Sequence, residues 1–229
     1  MPLLAAIANV AGKEFWDRIR SLYVSEDAVE NAMLEALGSG PFRLLVDLGT
    51  GTGRILELFT GRFQRGLGFD LNQSMLAYAE SKLSAAGHHN TEVRHGDLYD
   101  LTLQDGVADA VVMHQVLHFL AEPGAAIAEA ARILAPGGKL LIVDFAPHDL
   151  EFLREEHAHK RLGIGADSIE QWTAAAGLDL KRSELLAREG GSDQPQLTVS
   201  LWVAEQPGTT HSNATKRAGA TARQIEEAR

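Results

Sequence analysis

The chain has 229 residues, 45% hydrophobic and 23% charged, a composition that excludes a collagen-like or wholly disordered protein. It contains no cysteine, which excludes disulfide scaffolds, Cys-ligated zinc, iron–sulfur clusters and thiol nucleophiles, and which fits a reducing cytosol. Twenty-one basic residues against 31 acidic ones give a net charge of −10, the wrong sign for non-specific binding to nucleic acid.

Residues 1–12 are apolar but carry no basic residue before Lys13, so they do not read as a signal peptide. No segment reaches the roughly 18 consecutive apolar residues of a membrane span. A cytoplasmic protein is expected, with no membrane partner. Apolar positions at Phe15, Ile19, Leu22, Val29, Met33 and Leu37 follow a broken helical period and predict two helices over 14–37, closed by Gly38-Ser39-Gly40-Pro41. Phe15, Trp16 and Tyr23 could form a lid, but aromatic residues on an amphipathic helix are more often core. Residues 1–40 are expected to form a helical cap.

From there strands and helices alternate. Buried strands are predicted at 44–48, 66–69, 108–113 and 139–145, with a weaker one at 91–94. Helices are predicted near 55–63, 74–86 and 125–134. Strands separated by helices indicate βαβ units and a parallel sheet with helices on both faces. Residues 149–163 are polar and predict an exposed helix carrying Glu155, Glu156, His157 and His159, with one of the two histidines capping a substrate pocket as the alternative to a solvated face. Asp167-Ser168 predicts the cap of a helix that ends at Gly177. Strands at 180–187 and 197–204 follow, joined by a turn at 190–195 short enough to make them antiparallel. After Glu205 the composition turns to Pro, Gly, Thr, Ser, Asn and Ala, so 206–229 is expected to be a mobile tail beside a domain over 41–205.

The strongest chemical signal is Val46-Asp47-Leu48-Gly49-Thr50-Gly51-Thr52-Gly53, between the first of these strands and a helix. Glycines there let the backbone turn tightly and approach a ligand closely. A tight turn without a ligand would use the same glycines. A dinucleotide fingerprint needs Gly-x-Gly-x-x-Gly, and a phosphate loop needs Gly-x-x-x-x-Gly-Lys. Neither is present. Asp47 beside the loop would repel a pyrophosphate and suit a cationic ligand. Asp70 closes the next strand, where an acid can hydrogen-bond both ribose hydroxyls, and Asp97 closes the third, where it can accept from the amino group of a base. Ligands bind at such strand ends in open α/β sheets.

In this order the motifs VDLGTGTG, GFD at 68–70, HGD at 95–97, DAVVMHQVLHFL at 109–120 and RILAPGGKLLIVDF at 132–145 resemble the class I S-adenosylmethionine-dependent methyltransferases. WDRIRSLYV at 16–24, VDFAPHDLEFLREEHAHKRLG at 143–163 and LTVSLWVAE at 197–205 resemble, more narrowly, the methyltransferase half of bacterial proteins fused to an ArsR-type repressor. The resemblance implies a Rossmann-like α/β fold with a seven-stranded, mostly parallel sheet whose last strand is antiparallel. It implies S-adenosyl-L-methionine as cofactor. Gly49, Thr50, Gly51 and Gly53 would line its amino-acid portion, and Asp47 would help hold its ammonium. Asp70 would take the ribose hydroxyls, with Leu71 and Met75 against the adenine. Asp97 would accept from the adenine amino group, supported by Leu98. His114 and Gln115 would lie near the methionine portion. About 40 residues precede the first strand, too few for a winged helix, so specific DNA binding is not expected to carry over.

Methyl transfer needs in-line approach of a nucleophile in a dry pocket, and a general base only for a nucleophile that is protonated at pH 7. His114 and His118, four apart, are the candidates, and share one face if that stretch is helical. A metal reading would need a third ligand, and none is adjacent. Asp144 and His148 lie on the functional rim or cap the next segment. The expected acceptor is a small organic molecule. Arsenite is not expected, because soft arsenic is held by thiolates and the chain has none. A cofactor-binding regulatory module without turnover is the alternative.

Overall fold

The computed structural model describes residues 25–157, 159–186 and 197–208, with residues 156 and 157 described by backbone alone. The first predicted helix, the 190–195 turn and most of the expected tail lie outside these residues. The first described helix, α1 (Glu26–Leu37), starts where the Ser25 side chain accepts the Ala28 N–H at 3.3 Å. Val29, Met33 and Leu37 recur every four residues and are buried. Each contributes roughly 1.5–3 kcal/mol against the sheet.

Seven strands follow: β1 (Phe42–Leu48), β2 (Phe63–Asp70), β3 (Thr91–His95), β4 (Ala108–His114), β5 (Leu134–Phe145), β6 (Asp179–Leu186) and β7 (Val199–Glu205). They form one sheet in the order β3-β2-β1-β4-β5-β7-β6. The first five pair in parallel, and β7 runs antiparallel to both β5 and β6. The expected fold class is therefore observed. Alternate strand residues feed two cores. Val46, Val111, Met113 and Ile142 meet helices α4 (Pro123–Ile133) and α6 (Ala166–Ala175) on one face. Leu45, Ala110, Val112, Leu141 and Val143 meet α1 and α2 (Arg54–Leu58) on the other, with Leu83 of α3 (Gln73–Ala85) in the same cluster.

Four elements differ from expectation. The helix after β1 stops at Leu58 instead of 63: the Thr60 hydroxyl bonds back to the Leu56 carbonyl, Gly61 takes φ +84°, and Phe63 already belongs to β2. Strand β5 begins at Leu134, which pairs with Ala108 before a register shift near Ala110. Residues 149–163 do not form an exposed helix. Only α5 (Phe152–His157) is helical, and Leu153, His159 and Ile164 are buried. Gly163, at φ +84°, turns the chain back so that the Ile164 N–H reaches the Phe145 carbonyl. Helix α6 starts after Gly165 with no side-chain cap, so Asp167-Ser168 does not cap it.

Candidate active site at the strand ends

The carboxyl ends of β1, β2 and β4 bring the predicted residues to one rim. The loop after β1 doubles back, and the N–H groups of Gly49 and Thr50 both reach the Phe69 carbonyl of β2, at 2.8 and 2.9 Å. This requires left-handed backbone at Gly49, φ +82°, where an added Cβ would lie 2.5 Å from Val116 Cγ2. No other residue fits there without strain. At Gly51 an added Cβ would lie 3.3 Å from Met75 Cε, so Met75 lies beside the loop.

Asp70 ties this loop to the next one. Its Oδ2 accepts the Gly51 N–H at 2.9 Å and its Oδ1 accepts the Asn72 N–H at 2.8 Å. Asn72 then caps α3, its side chain accepting from Ser74 and Met75. Leu71 between them is 60% exposed, an apolar side chain left on the rim. Asp97, after β3, accepts the Tyr99 N–H at 3.1 Å, and Leu98 is buried in the core behind it.

Asp47 and Thr50 are the anomaly. Both are buried, and neither the Asp47 carboxylate oxygens nor the Thr50 hydroxyl makes a hydrogen bond. Burial pushes the Asp47 carboxyl up to about 7; the Thr50 hydroxyl offsets part of the shift, and the charge of Asp70 adds to it. A buried polar group without a partner costs about 1–3 kcal/mol. Such a group calls for an explanation, and at a cleft rim a bound ligand is one.

The β4 side is built differently. His114 ends the strand, half-buried, and burial lowers its imidazole to about 4, against the opposing charges of Asp144 and of Glu30 on α1. It is uncharged at neutral pH. Gln115 follows with φ +51°, its N–H donating to the Val143 carbonyl at 2.7 Å. Left-handed backbone at a residue that is not glycine costs about 1–3 kcal/mol and clusters at functional rims. His118 lies not on an α-helix with His114 but in a 3-10 turn over Leu117–Phe119. Its Nδ1 is 2.6 Å from Asp144 Oδ1, and both residues are buried. Asp144 also accepts the backbone N–H groups of Leu117, His118 and Phe145. As a carboxylate with four donors around it, Asp144 requires Nδ1 of His118 to carry the proton. His118 is 2% exposed, with its Nδ1 taken up by Asp144.

The His159 ring lies tilted against His118, centroids 4.1 Å apart, and is buried, so His159 is not on a solvated face. Lys160 and Arg161 donate their N–H groups to the His118 carbonyl, and the Arg161 guanidinium bonds the carbonyls of Leu120 and Ala121. The His148 imidazole, lowered by burial, accepts the Leu150 N–H. The pairing of Asp144 with His118 and the charge of Glu30 toward His114 were not readable from spacing. Asp144 and His118 are 26 residues apart, and only the adjacency of β4 and β5 joins them. Among the described residues no group of three His, Asp or Glu side chains is arranged to hold a metal.

Residues 46–142 match the methyltransferase domain family. Over 179 residues the chain is 31% identical to an arsenite methyltransferase of Aquipseudomonas alcaligenes, covering 71% of this chain and 46% of that protein. Over 116 residues it is 37% identical to a demethylmenaquinone methyltransferase of Thermus thermophilus, covering 49% of this chain and 51% of that protein. The chain thus spans about half the length of these curated relatives. A geranyl diphosphate methyltransferase solved in complex with S-adenosylmethionine superposes with a TM-score of 0.68 at 17% identity, over 88% of this chain and 94% of that one.

Proposed function

We propose that this chain, which carries a class I S-adenosyl-L-methionine-dependent methyltransferase domain, transfers a methyl group to a small organic acceptor. The observation that carries the reading is the buried pair of Asp47 and Thr50, neither with a well-formed hydrogen bond, beside a glycine loop that has no room for a side chain at Gly49. When bound, S-adenosyl-L-methionine supplies a methyl carbon already activated by its sulfonium. Asp47 holds the ammonium of the amino-acid end, against the loop of Gly49, Thr50, Gly51 and Gly53. Asp70 takes the ribose hydroxyls while still bracing Gly51, and Leu71 and Met75 cover the adenine. Asp97 accepts from the adenine amino group, with Leu98 supporting it from the core. His114 and Gln115 face the reacting end.

The protein's contribution to rate is then orientation and exclusion of water, worth as much as about 7–11 kcal/mol for ideal alignment. His114, uncharged at neutral pH, accepts a hydrogen bond from the acceptor, but with a value near 4 it is a weak base. An acceptor that carries no proton to remove at pH 7 suits this rim best. One relative's name specifies arsenite. This chain lacks any cysteine to hold it, and its described methionines, Met33, Met75 and Met113, offer only neutral thioethers. An organic acceptor with an oxygen, nitrogen or carbon nucleophile fits better. We expect purified protein with labelled cofactor to label one small molecule in a metabolite extract, identified by mass, and to form no methylarsenic from arsenite with a thiol reductant. Methylarsenic at a catalytic rate would overturn the acceptor class. Absence of both cofactor binding and labelled product would overturn the enzyme.

A further inference from the structure

Asp47 is exposed to 1%, and both of its oxygens lack a hydrogen bond. Its neighbours account for this. In register beside it stand Gly68 on β2 and Val112 on β4, neither with a polar side chain. The loop after β1 brings Thr50, whose hydroxyl is also unpartnered, and the end of β2 brings Asp70. The charged group that faces Asp47 is therefore another carboxylate. Asp70 itself is held in place by two backbone N–H donors. A second negative charge in the same buried space has no stabilising partner of its own. The neutral acid is the form that such a position favours, and burial does hold this carboxyl near neutrality.

We propose that Asp47 selects ligands with a cationic amino-acid end and releases its proton when one binds. This rests on the assignment of the site to S-adenosyl-L-methionine and deepens it. An ammonium arriving at Asp47 supplies the missing counter-charge, so the carboxylate becomes the favoured form and its proton passes to solvent. Binding and proton release are then linked. Below the carboxyl's own value in the free protein, nearly one proton leaves per ligand bound, and affinity rises up to about tenfold per pH unit. Above it, release falls away and affinity levels off. A ligand without the amino-acid end gains nothing from Asp47 and releases no proton. Asp70 and the apolar rim still bind its nucleoside portion.

The test is calorimetry of the full chain with S-adenosylhomocysteine and with 5′-methylthioadenosine, which lacks the amino-acid end. Two buffers of different ionisation enthalpy are used, at about pH 6 and about pH 7, below the titration range of an α-amino group. The expected result is release of nearly one proton per S-adenosylhomocysteine at the lower pH and about half a proton at the higher. Methylthioadenosine should release none. Asp47→Asn should bind S-adenosylhomocysteine more weakly, with no proton exchanged and no pH dependence over this interval. Equal proton counts for the two ligands in the wild-type chain would overturn the proposal, with no variant needed. So would an unchanged count in Asp47→Asn. Failure of S-adenosylhomocysteine to bind at all would instead overturn the cofactor assignment beneath it.

Discussion

Asp47 and Asp144 are both buried aspartates at the carboxyl ends of strands in one sheet, and their surroundings are opposite. Asp144 accepts from three backbone N–H groups and from the His118 ring, and it binds the turn after β4 to the end of β5. Asp47 has only the Thr50 hydroxyl near it, short of a well-formed hydrogen bond, and faces the carboxylate of Asp70. Equal burial therefore carries two meanings. On the β5 side both Asp144 oxygens are used internally, and residues 159–161 are seated against the turn that Asp144 holds. On the β1 side the chain keeps a carboxyl in an unfavourable place that only a ligand relieves.

The contrast is tested most severely at Asp144. Asp144→Ala leaves four donors without an acceptor in a dry interior and should cost about 3–5 kcal/mol in urea unfolding. A loss under about 1 kcal/mol would show that the His118 turn holds without it. Asp47→Asn should do the reverse. Its carboxyl stands near 7 in the folded chain, against 3.8 as the unperturbed value, so the folded form holds the proton more tightly. Stability contributed by that proton is present at low pH and is lost as pH rises from about 4 to about 7. Replacing the acid with Asn should raise the ligand-free stability at about pH 8, by at most about 4 kcal/mol, and change it little at about pH 4. Thermal unfolding of both forms across that interval checks the sign. A variant no more stable than wild type at the higher pH would mean that the carboxyl is not strained.

Asp70 lies between the two cases, since it already serves the fold and is assigned to the ligand as well. Asp70→Ala should lower S-adenosylhomocysteine affinity about ten- to a hundred-fold, roughly 1.5–3 kcal/mol, by calorimetry. Unchanged affinity in a folded variant would remove Asp70 from the site. The smallest effect is expected far from the rim. Arg43 pairs with Asp109 through its guanidinium at 2.6 Å, but its side chain is 69% exposed. Arg43→Ala should leave both the urea midpoint and ligand binding nearly as they were.

The glycine loop, the acids ending β1, β2 and β3, and the alternation of strands and helices were legible because each is a local pattern. Positive φ demands glycine, and a buried parallel strand demands an apolar run. The antiparallel β7 was legible for a similar reason, since a short connection admits no crossover. Residues 149–163 misled because their many charges outweigh two buried positions, Leu153 and His159, with the buried Ile164 directly after them. Those positions are buried only because Gly163 folds the segment back onto β5.

The order of side chains along the chain, then, determines where it turns, which strands are buried and which acids end them, because these depend on neighbours a few residues away. It does not determine which acid is satisfied. Asp144 finds His118 and Asp47 finds Asp70 only once β4 lies against β5 and β1 against β2. Hydrogen bonds and charge repulsion act over a few ångströms, whatever the separation in sequence. Which aspartate becomes a structural anchor and which stays open to a ligand is settled by the sheet.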